Sequence, residues 1–354
     1  MASPDSPASV DSPASVASHG RSRPDACSVL WDDTRASTLG TAPAALFWLA
    51  LEQNGPWGAK AATQSHLDPN LGKALDRVCR NAGGRLILIR RPGTHSDPND
   101  GDPQDRPQGR LPSRTPARST RFYLAGGLAG RPWLLEADLD DPARLALLPW
   151  AALSGGDLDA VHGTLPELGP SPAPVLMICS NSRRDVCCAV RGRPVALESA
   201  AQRPGQVWEC SHTGGHRFAP TGVLLPYGQT FGRLSGESAV AAIDAATRGE
   251  VPAELMGATY DRGRSHLSAP GQAAESVVRQ QIREPSLLAL STTATPQQGE
   301  KHADPTWHCR VSHIDGRHWD MIAVLRARGD DLPESCGKAP VPTWQWSVLN
   351  GSGR

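Results

Sequence analysis

At 354 residues the chain exceeds one average domain and falls short of three, which points to two domains plus appendages. Its 36 Lys and Arg balance 36 Asp and Glu, so it lacks the electrostatic footprint of a nucleic-acid binder or a polybasic membrane-surface protein. Apolar runs such as 44–51 fall far short of the roughly 20 residues a membrane helix needs, and the opening Met-Ala-Ser-Pro-Asp has neither a basic nor an apolar leader segment, so a cytoplasmic, reducing setting is expected.

Residues 1–26 carry the unit Asp-Ser-Pro-Ala-Ser-Val twice, at 5–10 and 11–16, with almost no large apolar side chain; a disordered tail is predicted. A first half is expected over 27–165. It reads as a strand at 44–52, a helix at 71–82 with Leu71, Ala74, Leu75, Val78 and Ala82 at helical spacing, strands at 85–89, 121–125 and 133–137, and a helix at 141–148. The Pro-, Asp- and Gly-rich stretch 92–120 interrupts it as a disordered insertion.

The second half, 172–250, repeats the order. A strand at 175–179 leads to a helix from about 188 to 201, which Gly192 and Pro194 are expected to shorten or to delay until Pro194. Strands at 206–210, 223–225 and 229–233 follow, then a helix capped by Ser235 and stopped by Gly249. Two β-α-β-β-β-α units predict an α/β fold of two thioredoxin-like halves, a mixed sheet with helices on both faces. Residues 251–354 read as a C-terminal extension packed on the second half: a helix at 272–282, a Ser/Thr/Gln linker at 291–299, and a hairpin of 307–313 with 318–325 around Asp315-Gly316. Trp344 and Trp346 follow at strand period.

In a reducing compartment eight cysteines suggest metal or redox chemistry before disulfides. Segment 179–219 holds two ligand pairs: Cys179 with Cys188, and His212 with His216. The first pair would sit at a strand end and a helix start, the second in the loop after the next strand, so all four could meet at one end of the sheet. Such donors suit zinc or an iron-sulfur cluster. A helix N-terminus favours the thiolate, and Gly214-Gly215 permits a tight bend between the histidines.

The run Asp185-Val186-Cys187-Cys188-Ala189, with Trp208-Glu209 and His212-Thr213-Gly214-Gly215-His216-Arg217-Phe218-Ala219, resembles the sucrase/ferredoxin-like family. The likeness extends upstream through Cys27, Gly40-Thr41-Ala42-Pro43, Glu52 and Gly55-Pro56-Trp57-Gly58, and downstream to Asp315-Gly316-Arg317. It implies a [2Fe-2S] cluster held by Cys179, Cys188, His212 and His216, and a one-electron carrier whose potential depends on pH, served by an unidentified redox partner protein. No carboxylate pair supports glycoside chemistry, so a redox protein is expected rather than a hydrolase.

Other readings stand beside this one. Cys187 could replace Cys188, since adjacency cannot choose between them, and Cys210 reads as a buried neighbour of the site for which a ligand role stays open. Zinc in a Cys2His2 site would make the chain a structural adaptor; direct use of Cys179, Cys187 or Cys188 would make it a thiol oxidoreductase, although no Cys-x-x-Cys is present. Cys27 and Cys79 are expected to be packing thiols and Trp208 and Phe218 core, while Arg217 reads either as a residue that stabilises cluster charge or docks a partner or as a surface ion-pair partner of Asp185 or Glu209. His308, Cys309, His313 and His318 should scatter over both faces of a hairpin. The first half offers no matching ligand set, only Asn54-Gly55-Pro56-Trp57-Gly58 after its first strand.

Overall fold

In the first half the apolar runs become strands: Trp48–Glu52 (β1), Arg85–Arg90 (β2), Thr120–Gly126 (β3) and Trp133–Leu139 (β4), with the two-residue Gly169–Pro170 (β5) at the edge. These elements come from a computed structural model that describes residues 23–93, 119–297 and 304–351. The expected tail up to residue 22 and insertion residues 94–118 lie outside the described residues. Helix Cys27–Asp33 (α1) precedes β1, and Pro69–Asn81 (α2) links β1 to the parallel β2. The Asp68 carboxylate accepts the Leu71 N–H at 2.8 Å and Pro69 opens the first turn, which fixes where α2 starts. The expected helix at 141–148 is a 3-10 helix, Pro142–Leu147, followed by Trp150–Gly155 (α3) and Leu158–Thr164 (α4), which the sequence reading missed.

The second half contributes Val175–Cys179 (β6), Val186–Gln202 (α5), Val207–Cys210 (β7), Gly222–Leu225 (β8), Gln229–Phe231 (β9) and Gly236–Ala246 (α6). Ser235 and Ser238 form a reciprocal capping box at the start of α6. Asp261–Arg264 (β10) and Ala269–Ile282 (α7) lead to a separate antiparallel sheet of Leu290–Pro296 (β11), Thr306–His313 (β12), His318–Leu332 (β13) and Val341–Asn350 (β14).

The fold is mixed α/β. One ten-stranded sheet runs in the order β10-β9-β8-β6-β7-β2-β1-β3-β4-β5. The halves share a strand order, β2-β1-β3-β4 and β7-β6-β8-β9, and stand back to back where β2 meets β7 antiparallel. That seam pairs Ile89 with Cys210 and Arg90 with Glu209, and beyond it the Leu88 carbonyl accepts the Ser211 N–H at 2.8 Å. A single apolar layer crosses it: Trp48, Ile87, Ile89 and Tyr123 pack with Met177, Cys179, Trp208 and Val223. Tyr123 and Trp208 meet edge to face at 5.7 Å.

Two expectations are corrected. Helix α5 runs unbroken through Gly192 and Pro194. Pro194 removes one hydrogen bond, but Val195, Ala196 and Ser199 are buried against the sheet, and Gly192 lies where any Cβ would strike the Cys179 carbonyl. The lost bond is therefore offset by packing that needs a glycine there. The supposed linker 291–299 is largely strand β11, which pairs along its length with β12. Its threonines suit a half-exposed strand, and Thr292 Oγ1 donates to buried Glu275 at 3.0 Å.

The extension carries a pH-sensitive residue. His266 lies between β10 and α7 with its Nδ1 buried and unpartnered; burial first, then the nearby Arg264, lowers its pKa from 6.5 to about 4. The unfolded chain therefore binds a proton that the folded one refuses between these values, so stability is full above pH 6.5 and falls as pH drops toward 4. Urea denaturation at pH 7 and pH 4.5 should show a loss of on the order of 2–3 kcal/mol that His266→Gln removes. An unchanged difference in that variant would assign the loss elsewhere.

Candidate metal centre

Parallel strands β6 and β7 end in register, Cys179 beside Cys210, so the loops that follow them leave the same end of the sheet. The first loop turns at Asn181 and reaches Asp185, whose carboxylate caps α5 by accepting the Cys187 N–H at 2.9 Å. The second runs from Ser211 through Gly214 and Gly215, both at positive φ, into a 3-10 turn at His216–Phe218. A Cβ on Gly215 would collide with the Arg262 guanidinium, so the bend requires glycine twice over.

This brings Cys179, Cys188, His212 and His216 to one end of the sheet. Cys179 and Cys188 are each 1% exposed. The neighbouring Cys188 thiol and the His212 imidazole outweigh burial and hold Cys179 well below the usual thiol range, while the Cys179 thiol and burial push Cys188 well above it. The His212 and His216 rings stack at 5.9 Å, both half-buried, and each has a buried Nδ1 without a hydrogen-bond partner. Burial lowers the His216 pKa more than Asp185, 3.7 Å from its Nε2, raises it, which favours the neutral, metal-binding form at pH 7. Buried unpartnered nitrogens are costly, and two beside a thiol pair are what a coordinated group would satisfy.

Charge is arranged behind the loops. Arg262 is 1% exposed; it donates from Nη1 to the Gly214 carbonyl at 3.0 Å, from Nε to Thr41 Oγ1 at 3.1 Å, and from Nη2 to the Thr41 carbonyl. Burial, then repulsion from Arg217, brings its pKa down to about 9, so it stays cationic at pH 7. Below β7, the Glu209 carboxylate is fully buried and accepts from Arg90 Nη2 at 2.7 Å, Arg90 Nε at 3.0 Å and Ser180 Oγ at 2.7 Å. Arg90 in turn lies 4.2 Å over the Trp57 ring. The first half also reaches the site: Asn181 Nδ2 donates to the Gly58 carbonyl at 3.0 Å, tying the Asn54–Gly58 loop to the loop after β6.

Adjacent Cys187 and Cys188 face different neighbours. Cys187 turns to a group that sequence reasoning missed. Its Sγ lies 3.5 Å from Cys27 and 3.0 Å from Cys336, with Asp185 alongside. Among the described residues, Cys27, Asp185, Cys187 and Cys336 form the group whose ligand atoms all lie within 4.8 Å of one another. Cys27 is therefore no mere packing thiol, whereas Cys79 is buried in the first-half core as expected. Hydrogen bonds from Cys27 and Cys336 lower the Cys187 pKa to about 6 against the opposing effect of burial. Asp185 is pushed up by burial but held below the usual carboxylate range by the Cys336 N–H and Ser335 hydroxyl.

Cys210 is buried beneath the site, its thiol pushed up by desolvation. Trp208 and Phe218 are core. Arg217 pairs with neither Asp185 nor Glu209: it stands 3.7 Å from Glu334 and over the rings of Trp31 and Phe218, because those carboxylates are already engaged. On the β12–β13 hairpin Cys309 is buried, His308 faces Asp320 at 3.4 Å and His313 pairs with Glu284 at 2.9 Å, so these residues are dispersed.

The sheet and the thiols, imidazoles and carboxylate gathered at its end describe an α/β protein with a group of side chains that could hold a metal ion. A family model described as sucrase/ferredoxin-like matches residues 39–256, and the chain belongs to that family. The matched span takes in both halves of the large sheet as far as β9 and α6, with all four ligand candidates, and leaves out Cys27 and Cys336. No curated protein and no solved structure matches the chain. Among the described residues no helix is long and apolar enough to cross a membrane.

Proposed function

We propose that the chain is a one-electron carrier whose [2Fe-2S] cluster is held by Cys179, Cys188, His212 and His216. What supports this reading is a buried thiol pair, Cys179 and Cys188, at the same end of the sheet as two imidazoles whose Nδ1 atoms are buried and unpartnered. A binuclear cluster separates its ligand pairs by its own width, so its four donors need not share one mononuclear sphere. The cluster supplies reversible one-electron chemistry, and neutral imidazoles in place of two thiolates raise its potential, as in Rieske centres.

The chain's own residues set the rest. Dry packing around Cys179 and Cys188 excludes water from the thiol side, while the half-exposed imidazoles form the side open to a redox partner protein and to protons. Loss of an imidazole proton favours the oxidised state, so the potential falls as pH rises above the pKa of the oxidised form's histidines. Buried Arg262 favours the reduced state, which carries one more negative charge. Arg262→Met should therefore lower the midpoint potential by on the order of tens of millivolts at fixed pH, and Arg262→Lys by less. Potentiometric titration followed by EPR measures both; equal potentials in all three proteins would remove Arg262 from this role.

The reading itself is tested on anaerobically purified protein, by absorption and EPR before and after dithionite, with iron, sulfide and zinc counted per chain. Visible absorption that bleaches on reduction and a Rieske-like low average g value support it. A colourless chain that binds zinc through His212 and His216 and rejects cluster reconstitution overturns it in favour of a structural zinc protein.

A further inference from the structure

Cys27 opens α1, Cys187 is the second residue of α5, and Cys336 lies in the turn between β13 and β14. The sequence separations are 160 residues for Cys27 and Cys187 and 149 for Cys187 and Cys336, yet the three sulfurs stand 3.5, 3.0 and 3.6 Å apart. Both Asp185 carboxylate oxygens are 3.9 Å from Cys27 Sγ. A tetrahedral zinc with sulfur bonds of about 2.3 Å spaces its sulfurs roughly 3.8 Å apart, close to this triangle. A disulfide, at about 2.05 Å, would join two of these atoms and strand the third beside a carboxylate.

The surroundings suit a closed site. Cys27 and Cys187 are buried, and Cys336 is half-buried. Asp185 is oriented by three donors, the Cys187 N–H, the Cys336 N–H at 2.9 Å and the Ser335 hydroxyl at 2.8 Å, the kind of outer bonding that fixes a ligating carboxylate. Three thiolates and one oxygen, with no position left open to solvent chemistry, match a structural ion rather than a catalytic one. Soft sulfur donors in a tetrahedral arrangement select zinc over magnesium or calcium.

We propose that Cys27, Cys187, Cys336 and a carboxylate oxygen of Asp185 bind one Zn2+, at a site that shares no ligand with that of Cys179, Cys188, His212 and His216 but adjoins it where Asp185 faces His216 Nε2 at 3.7 Å. The ion ties three distant segments together: the N-terminal helix, the start of α5 and the four-stranded sheet. It also explains the Cys-Cys dipeptide, because successive residues on a helix point about 100° apart and can serve two sites.

The test counts metals in the full-length chain produced with zinc supplied. One zinc per chain is expected, with an X-ray absorption fine structure of three sulfurs and one oxygen. Cys336→Ser and Cys27→Ser should each lower zinc at least about fivefold while iron and sulfide per chain stay at the wild-type level. The fine structure is read on the wild-type protein, so a variant that fails to fold does not spoil the test. Zinc with a shell of two sulfurs and two nitrogens overturns the proposal, since the ion would then occupy the histidine site. So does a wild-type chain with under about a tenth of an equivalent of zinc, or one with a Cys187–Cys336 disulfide.

Discussion

Cys188→Ser should strip the purified chain of iron and sulfide, while Cys187→Ser leaves both in place. Changes in the outer shell of a metal site already cost about 10–100-fold in affinity, so loss of a coordinating thiol should cost at least that much. The contrast between neighbours is the informative part. Cys188 lies with Cys179 inside the apolar layer, and Cys187 faces Cys27 and Cys336. Iron and sulfide per chain and the visible spectrum would be measured for both variants. Loss of the cluster in Cys187→Ser with retention in Cys188→Ser would exchange their roles and sink the assignment.

The second large effect is on stability. Glu209→Ala should destabilise the fold by about 3–5 kcal/mol, because it leaves the Arg90 guanidinium buried at the seam without its carboxylate. The Ser180 hydroxyl, next to Cys179, loses its acceptor in the same step. Replacing both partners, Arg90→Met with Glu209→Leu, should recover much of the loss, since an apolar pair of similar size removes both charges. Guanidinium denaturation of the two variants makes the comparison. A single variant that loses less than about 1 kcal/mol would show that water reaches this pair despite its burial.

The strands of the large sheet were legible because burial on both faces leaves continuous apolar runs: residues 175–179 are the observed β6. Helix α5 was misjudged because Gly192 and Pro194 are poor helix formers in isolation, and the contact that demands Gly192, with the Cys179 carbonyl, is a tertiary one. The threonines of β11 hid a strand behind polar composition. At the site, the gathering of Cys179, Cys188, His212 and His216 at one end of the sheet was readable because one β-α-β unit carries all four. The Cys27 and Cys336 contacts were not, since no local spacing encodes a separation of 309 residues. The one hint was the tandem Cys187-Cys188, too many thiols for a single ligand position.

The back-to-back strand orders across β2 and β7 have a further consequence. Two like sheets joined edge to edge are what a two-fold dimer builds from separate chains, and a dimer comes apart on dilution. Here one polypeptide carries both, so the second half meets its neighbour at a fixed effective concentration whatever the protein concentration in the tube. The Asn54–Gly58 loop is therefore always at hand beside Asn181, and the contact between the halves at Gly58 holds in the most dilute solution.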